Sequence, residues 1–480
     1  MCSSDLWRGL SFLLRSSRQL AEPHLRNLVE KETYRPISIL VPAYNEEKTI
    51  VGTVQSLLNL RFPEFEIIVV SDGSNDRTLS LLDEAFQLEA QSPAHRKLIE
   101  TKPVEAVYRS RLHPRLVVLE KERGGKADAL NAGLNFARFP LVCHVDADSV
   151  VEGDALLRGA RIFGDDERVV AVGGGIRPLN GSVVADGRVE VSKVPKSWLE
   201  RFQVVEYARA FGARAGWGSW NSLLLISGAF GIFRRESLLQ IGGHRPVTVA
   251  EDLDLVVRLH RFHRDESIPY RIVSLPETMC WTQVPSDFRS LRRQRNRWHR
   301  GLWEVLWNAR GMLLRPRYGR LGLVVLPYFW LFEGLAPLVE VAGYLSIPLL
   351  MLSGAFDPVV VLSLALIATC FGLLLSFIGL LAETLRDGGR GRTVREQGLL
   401  VVAACLELLG FRQLLALERL WATFQLGRRR GRWGEVRRHE FGREVVELPA
   451  TRSMDATSLE IEEPVELDEE KVKKEVGGSA

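Results

Sequence analysis

Residues 358–382, PVVVLSLALIATCFGLLLSFIGLLA, hold no charged side chain. Crossing the hydrocarbon of a bilayer takes about 20 apolar residues in a helix, so this run is expected to span a membrane. A chain with such a span must segregate its polar groups, and charged residues still make up 25% of this one. The preceding stretch, 321–352, is apolar but interrupted by Glu333, Pro337, Glu340 and Pro348. Its first part is expected to lie at the interface, within a segment covering 301–334, and about 335–353 to form a span. A third run, 398–411, is short and carries Glu407. It either crosses to about residue 418 or turns along the interface as an amphipathic helix through 413–426, so the membrane region is placed at 335–426. The loop 384–397 is rich in arginine and the loop 352–357 has no basic residue. The positive-inside rule then puts the arginine side, and everything before the spans, in the cytoplasm of a plasma or inner membrane. The basic GRRRGRWGEVRR after the third run leaves the parity of the spans open.

Before the spans the periodicity changes. Strands are expected at about 36–42, 66–71, 115–120, 140–146 and 169–174, with helices near 47–60, 76–89, 126–138 and 153–163. That alternation predicts an α/β domain over 36–300, a mostly parallel sheet with helices on both faces. Residues 1–35 carry only the short LSFLL between arginines and predict neither a span nor a signal peptide. Residues 427–480, basic and then acidic, predict a disordered tail. The formal net charge is only +4, which argues against nucleic acid as a partner, and the arginine clusters sit beside apolar spans, where anionic lipid is nearer. Cys2, Cys143, Cys280, Cys370 and Cys405 show no metal-site spacing. His260 and His263, without an acidic or thiolate partner in their motif, read as a solvated helix face.

FPLVCHVDADSVVEGD, 139–154, ends an apolar run in two aspartates one residue apart. Side chains alternate across a strand, so Asp146 and Asp148 leave it on one side, at the carboxyl edge where open α/β sheets bind ligands. A carboxylate pair there suits a hard divalent cation that also holds phosphate oxygens. A helix cap beside a solvated acid explains the same letters. VSDGSND delivers Asp72 to that edge, as an ordinary turn aspartate also would, and PAYNEE brings Asn45 and Glu46 beside it. RGGKADALNAG opens a helix with two glycines and Lys126, amides and an ammonium that favour phosphate, without the hydroxyl of a Walker loop. VAEDLDL starts a helix with Glu251 and Asp252; capping accounts for one carboxylate, and a general base would account for the other. RRQRNRWHRGLWEVLW sets Gln294, Arg297 and Trp298 ahead of the spans, as an interfacial anchor or as part of a site.

Taken in order, strand-ending Asp72, the DAD pair, AED and QRNRW resemble the signature of membrane-embedded family 2 glycosyltransferases, the group of cellulose, chitin, hyaluronan and poly-N-acetylglucosamine synthases. The resemblance covers about 36–300 and the layout of the membrane region. It implies a GT-A fold and an inverting transfer from a UDP-sugar, UDP-GlcNAc or UDP-glucose, to a growing β-linked polysaccharide, with Mg2+ or Mn2+ as cofactor. On that pattern Asp72 contacts the nucleobase, and Asn45, Glu46 and Lys126 also meet the nucleotide-sugar. Asp146 and Asp148 hold the sugar-nucleotide and the metal ion. Asp252 is the catalytic base, supported by Glu251, while Gln294, Arg297 and Trp298 line the acceptor and diphosphate site. Phe230 of SGAFG and Tyr207 either stack on a sugar there or pack the core.

Two departures matter. The family's frequent Thr before ED is Ala250 here, and relatives commonly carry one or two spanning helices ahead of the catalytic domain where residues 1–35 predict none, so that either the amino terminus is incomplete or the anchor is expected in the carboxyl half alone. The acceptor is a glycan or, as in relatives that add one sugar, a ceramide or diacylglycerol lipid. An accessory subunit is a further expected partner, and a non-catalytic membrane subunit that has kept the fold is the reading of another class.

Overall fold

The computed structural model describes residues 34–92, 97–246, 248–354, 357–386 and 392–426. Expectations for residues 1–33 and 427–480 lie outside them. The first half runs β1 (Ile37–Ala43), α1 (Ile50–Leu58), β2 (Phe65–Asp72), α2 (Thr78–Phe86), β3 (Leu88–Gln91), β4 (Val104–Ser110), β5 (Leu116–Lys121), α3 (Lys126–Phe136), β6 (Leu141–Val145), β7 (Ser149–Val151), α4 (Ala155–Asp165) and β8 (Val169–Pro178). A less regular half follows: the small ribbon β9 (Val183–Ala185) and β10 (Arg188–Val191), then α5 (Trp198–Ser219), β11 (Phe230–Arg234), α6 (Arg235–Gln240), α7 (Glu251–Asp265), β12 (Arg271–Thr282) and α8 (Phe288–Asn308).

Strands β1 and β2 are buried on both faces, which is why they read as continuous apolar runs. Their period of two still sorts the side chains. Ile37, Ile39 and Val41 join Val54, Leu82 and Phe163 in one core layer, while Leu40 joins Ala129, Leu134 and Leu255 in the other. Each such aliphatic contributes about 1.5–3 kcal/mol by leaving water. The ten-stranded sheet has the order β3-β4-β5-β2-β1-β6-β11-β8-β12-β7. β1 is parallel to β2 and β6, β2 to β5, and β12 to β8. β11 enters antiparallel between β6 and β8, and the pairings of β3, β4 and β7 are antiparallel too. The parallel block is the part the alternation predicts, and the sheet as a whole is mixed. Its register sets Asp72 opposite Lys121 and Ser71 opposite Ala43, so β1, β2 and β5 end at one edge beside the end of β6.

His260 and His263 are not solvated. His260 is fully buried, bonded to the Tyr270 hydroxyl at 2.7 Å and the Leu223 carbonyl at 2.8 Å, and His263 is 3% exposed. They close the core behind α7 instead of lining its outer face.

Among the described residues three helical stretches are long and apolar enough to cross a membrane: α9 (Ala336–Ser353), α10 (Pro358–Arg386) and Val394–Phe424. The last is two helices, α11 (Val394–Leu406) and α12 (Arg412–Phe424), parted where Leu409 and Gly410 leave helical geometry, Gly410 at φ 109°. Beyond that break α12 lies against α8. Arg292 pairs with Glu418, His299 meets the Thr423 hydroxyl at 2.9 Å, and Asn296 reaches Gln425 at 3.4 Å. Buried Glu407 ties the break to the α/β half through Arg209 of α5 and to α12 through Arg412.

Candidate active site

The edge where the parallel strands end holds two lysine-centred clusters. In the first, Lys121 at the end of β5 is fully buried, with its ammonium 2.6 Å from both Asp72 and Asp128. Asp72 also accepts from the amides of Gly124 at 2.9 Å and Gly125 at 2.7 Å. Gly125 stands at φ 92°, a conformation that favours glycine. The sequence leads one to expect Asp72 on a nucleobase. It lies 3% exposed beneath the glycine turn with both oxygens engaged, because burial beside an ammonium demands those bonds. Asn45 and Glu46 also spend their bonds locally: Asn45, at φ 54°, accepts from the Asn75 amide at 3.0 Å, and the Glu46 amide donates to Thr78 at 2.9 Å. These bonds clamp the loop after β1 to the loop after β2. Above them the Arg123 guanidinium lies 3.9 Å from the Tyr44 ring centroid.

The glycine turn delivers the second cluster. Lys126 opens α3, and its ammonium bridges Asp146 Oδ1 at 2.6 Å and Glu251 Oε1 at 3.0 Å. Burial opposes its charge, but Asp146, Glu251 and Asp252 outweigh burial and hold its pKa above the ordinary lysine value. Asp146 follows directly from β6, its side chain 29% exposed. Asp148, two residues on, is 2% exposed and accepts from the Thr282 hydroxyl at 3.3 Å. Glu251 and Asp252 begin α7, where the free amides favour carboxylates. Asp252 accepts from the amides of Leu253 at 2.8 Å and Gly228 at 3.2 Å. Burial and then the neighbouring Glu251 raise its pKa, against the pull of Lys126, the Leu253 amide and Arg297.

Gly228 explains why SGAFG is small at this point. A Cβ there would stand 2.8 Å from the Lys126 nitrogen and 3.6 Å from Asp252 Oδ2. Reading by motif missed it, as it missed Lys121 and also Arg214 of α5, whose charge acts on Tyr207 and Asp252.

α8 supplies the far wall. Gln294 Oε1 is buried with no hydrogen-bond partner among the described residues, Arg297 acts electrostatically on Asp252, and Trp298 is 39% exposed beneath the Arg295 guanidinium, 4.3 Å from the ring centroid. Arg295 in turn bonds Glu206 of α5 at 2.7 Å. The expectation for Phe230 fails. It stands at the edge, opposite Val145 at the end of β6, but its ring is turned into the apolar core layer and is fully buried there. Tyr207 is partly buried against the same core.

The donor chemistry fits a divalent cation. Asp146 and Asp148 offer hard oxygens one residue apart, and the described residues contain no group of three or more His, Cys, Asp or Glu that would complete a cage. Two carboxylates of this kind suit an ion that takes its other ligands from phosphate and water.

The sequence matches known families across this region. Residues 38–241 match the family described as Glycosyl transferase family 2, and residues 141–378 match Glycosyl transferase family group 2. A poly-beta-1,6-N-acetyl-D-glucosamine synthase of Staphylococcus epidermidis is 30% identical over 289 residues, which cover 59% of this chain and 60% of the relative. A synthase of the same name from Staphylococcus aureus is 29% identical over 272 residues, covering 56% and 55%. The chain thus spans little more than half the length of these relatives. Among solved structures, a mannosyltransferase from Pyrobaculum calidifontis in complex with GDP-Man and Mn2+ superposes with a TM-score of 0.47 at 19% identity, over 89% of this chain and 96% of that one.

Proposed function

Because this chain belongs to glycosyltransferase family 2, we propose that it transfers N-acetylglucosamine from UDP-GlcNAc to a hydroxyl of a growing β-linked glycan, with its catalytic domain on the cytoplasmic side of a membrane. The observation that carries the reading is the opposition of Asp252, its pKa raised and its carboxylate held by two amides, to Lys126 on Asp146. The synthases it resembles support the choice of donor sugar.

On this reading Asp252 takes the proton of the acceptor hydroxyl as that oxygen attacks the anomeric carbon. The bond from that carbon to the donor diphosphate breaks on the opposite face. A single displacement of this kind inverts the centre and needs one base, unlike the closely spaced carboxylate pair of a retaining glycosidase. The leaving diphosphate gathers negative charge, which Lys126, Arg297 and the amino-terminal end of α3 would stabilise. Asp146 and Asp148 would hold Mg2+ or Mn2+, which when bound supplies Lewis-acid neutralisation of the same charge. Asp72, through Gly124 and Gly125, orders the turn on which the nucleotide rests. Trp298 would offer the acceptor a stacking face, and Gln294 carries a buried carbonyl oxygen that lacks a hydrogen-bond donor among the described residues.

The test is UDP release by detergent-purified protein across a panel of UDP-sugars with Mg2+ or Mn2+, followed by sizing of the product. Release from UDP-GlcNAc that disappears in Asp252→Asn, with long product, supports the proposal. Turnover unchanged in Asp252→Asn would overturn the base, and a single sugar on an organic-soluble product would move the reading to a lipid acceptor.

A further inference from the structure

Between α8 and α9, residues 309–320 read ARGMLLRPRYGR, four arginines and no acidic residue. All four, Arg310, Arg315, Arg317 and Arg320, are exposed. Arg317 leans on Asp265 at 3.5 Å. Arg310 and Arg320 instead lie over tryptophan rings, Trp307 at 5.1 Å and Trp220 at 5.7 Å. In their midst Leu314 is 65% exposed and stands at φ 56°, left-handed backbone that a bulky residue avoids unless its surroundings hold it there. Its amide donates to the Gly322 carbonyl at 3.0 Å, which fixes the bend. Trp307, Leu323 and Phe332 are exposed as well, and the chain passes from them directly into α9.

A loop made for water would have no use for a leucine held outward in a strained bend, and a loop made for packing would bury it. Cations that flank outward apolar tips next to a membrane span match the headgroup layer, where phosphate lies above hydrocarbon. We propose that this belt docks anionic phospholipid, with Arg310, Arg315 and Arg320 on headgroup phosphates and Leu314 and Trp307 among the upper acyl chains. The inference rests on the membrane reading of α9 to α11 and makes no use of the transfer chemistry.

The full chain would be reconstituted in nanodiscs of equal phosphatidylcholine and phosphatidylglycerol, re-extracted, and its retained lipids counted by native mass spectrometry. Phosphatidylglycerol should be retained over phosphatidylcholine by roughly fivefold for each arginine engaged. Raising NaCl from about 0.1 M to about 1 M, which shortens the Debye length from roughly 10 to 3 Å, should lower that preference. R310Q/R315Q/R320Q should bring the ratio toward parity, and R315Q alone part of the way. The control R61Q/R109Q/R188Q, on exposed arginines of the α/β domain, should leave it unchanged. Parity in the unaltered protein, or a preference that survives the triple change or is lost equally in the control, would overturn the proposal. UDP release in detergent is a separate readout, so failure of the transfer reading leaves the lipid result standing, and the reverse also holds.

Discussion

Lys121 and Lys126 are five positions apart, and each stands between two carboxylates, yet their surroundings differ. Lys121 is closed in. It has no exposure, touches Asp72 and Asp128 at 2.6 Å, and Asp72 is filled further by two glycine amides. Lys126 keeps 15% of its side chain exposed, and its partner Asp146 keeps 29%. Behind it Asp252 holds a proton more readily than an ordinary aspartate because burial and Glu251 disfavour its charge. The same residue kit thus builds a saturated brace in one place and an open, unevenly compensated pocket in the other. What separates them is how many lone pairs remain for something that is not protein.

The comparison is broken most severely at the brace. Lys121→Met leaves two buried carboxylates facing each other without a cation, and removing one partner of a buried ion pair costs about 3–5 kcal/mol. Urea or thermal unfolding in detergent should show that loss, and K121M/D128N should recover part of it. An unchanged unfolding midpoint would mean that water reaches this cluster and that it is no brace.

At the open lysine the ranking should reverse. Lys126→Met should lower kcat for donor turnover by about 10²–10³, the range for losing one group aimed at developing charge. Its stability loss should be smaller than that of Lys121→Met, because Asp146 can turn to solvent. Equal stability losses in the two variants would erase the distinction between the clusters.

Gly228→Ala probes the same pocket with a single carbon. Its Cβ would meet the flexible end of Lys126 at 2.8 Å, so the fold should tolerate it while the ammonium is displaced. A displacement near 1 Å can cost about 10²-fold in rate. Turnover should therefore fall by roughly ten- to a hundredfold with an unaltered unfolding midpoint. Full activity would show that Lys126 has room to spare.

How much of this was legible in the letters follows from how local each signal is. Asp146 follows an apolar strand and Asp252 opens an amphipathic helix, so a short window places both at an element end. Their meeting needs α7 and β6 brought to one edge, and the family resemblance supplied that pairing. Lys121 looked like one more residue in the charged VLEKERGGK, since nothing local says that its side chain points inward between two aspartates. Phe230 misled for the opposite reason. The letters of SGAFG allow a ring that stacks on a sugar or one that packs the core, and the choice is made by β11 pairing with β6, some distance back along the chain, and with β8, which turns the ring into the core. The antiparallel β3 and β4 were invisible because their exposed, polar faces carry little of the apolar alternation that marks a strand.

The smallest expected effect sharpens the comparison most, because it reads the uneven compensation directly. Burial comes first and Glu251 second among the causes that raise the pKa of Asp252, with Lys126 pulling the other way. A base must be deprotonated to act, so turnover should fall as pH drops through that raised pKa, above the range of an exposed aspartate. Glu251→Gln removes the second cause and keeps the shape of the side chain. The acid limb of kcat/KM, which reports the free enzyme, should then move to lower pH while the plateau changes little. A shift to higher pH would mean that Glu251 acts mainly by holding Lys126 close to Asp252, and the raised proton affinity would then belong to burial alone.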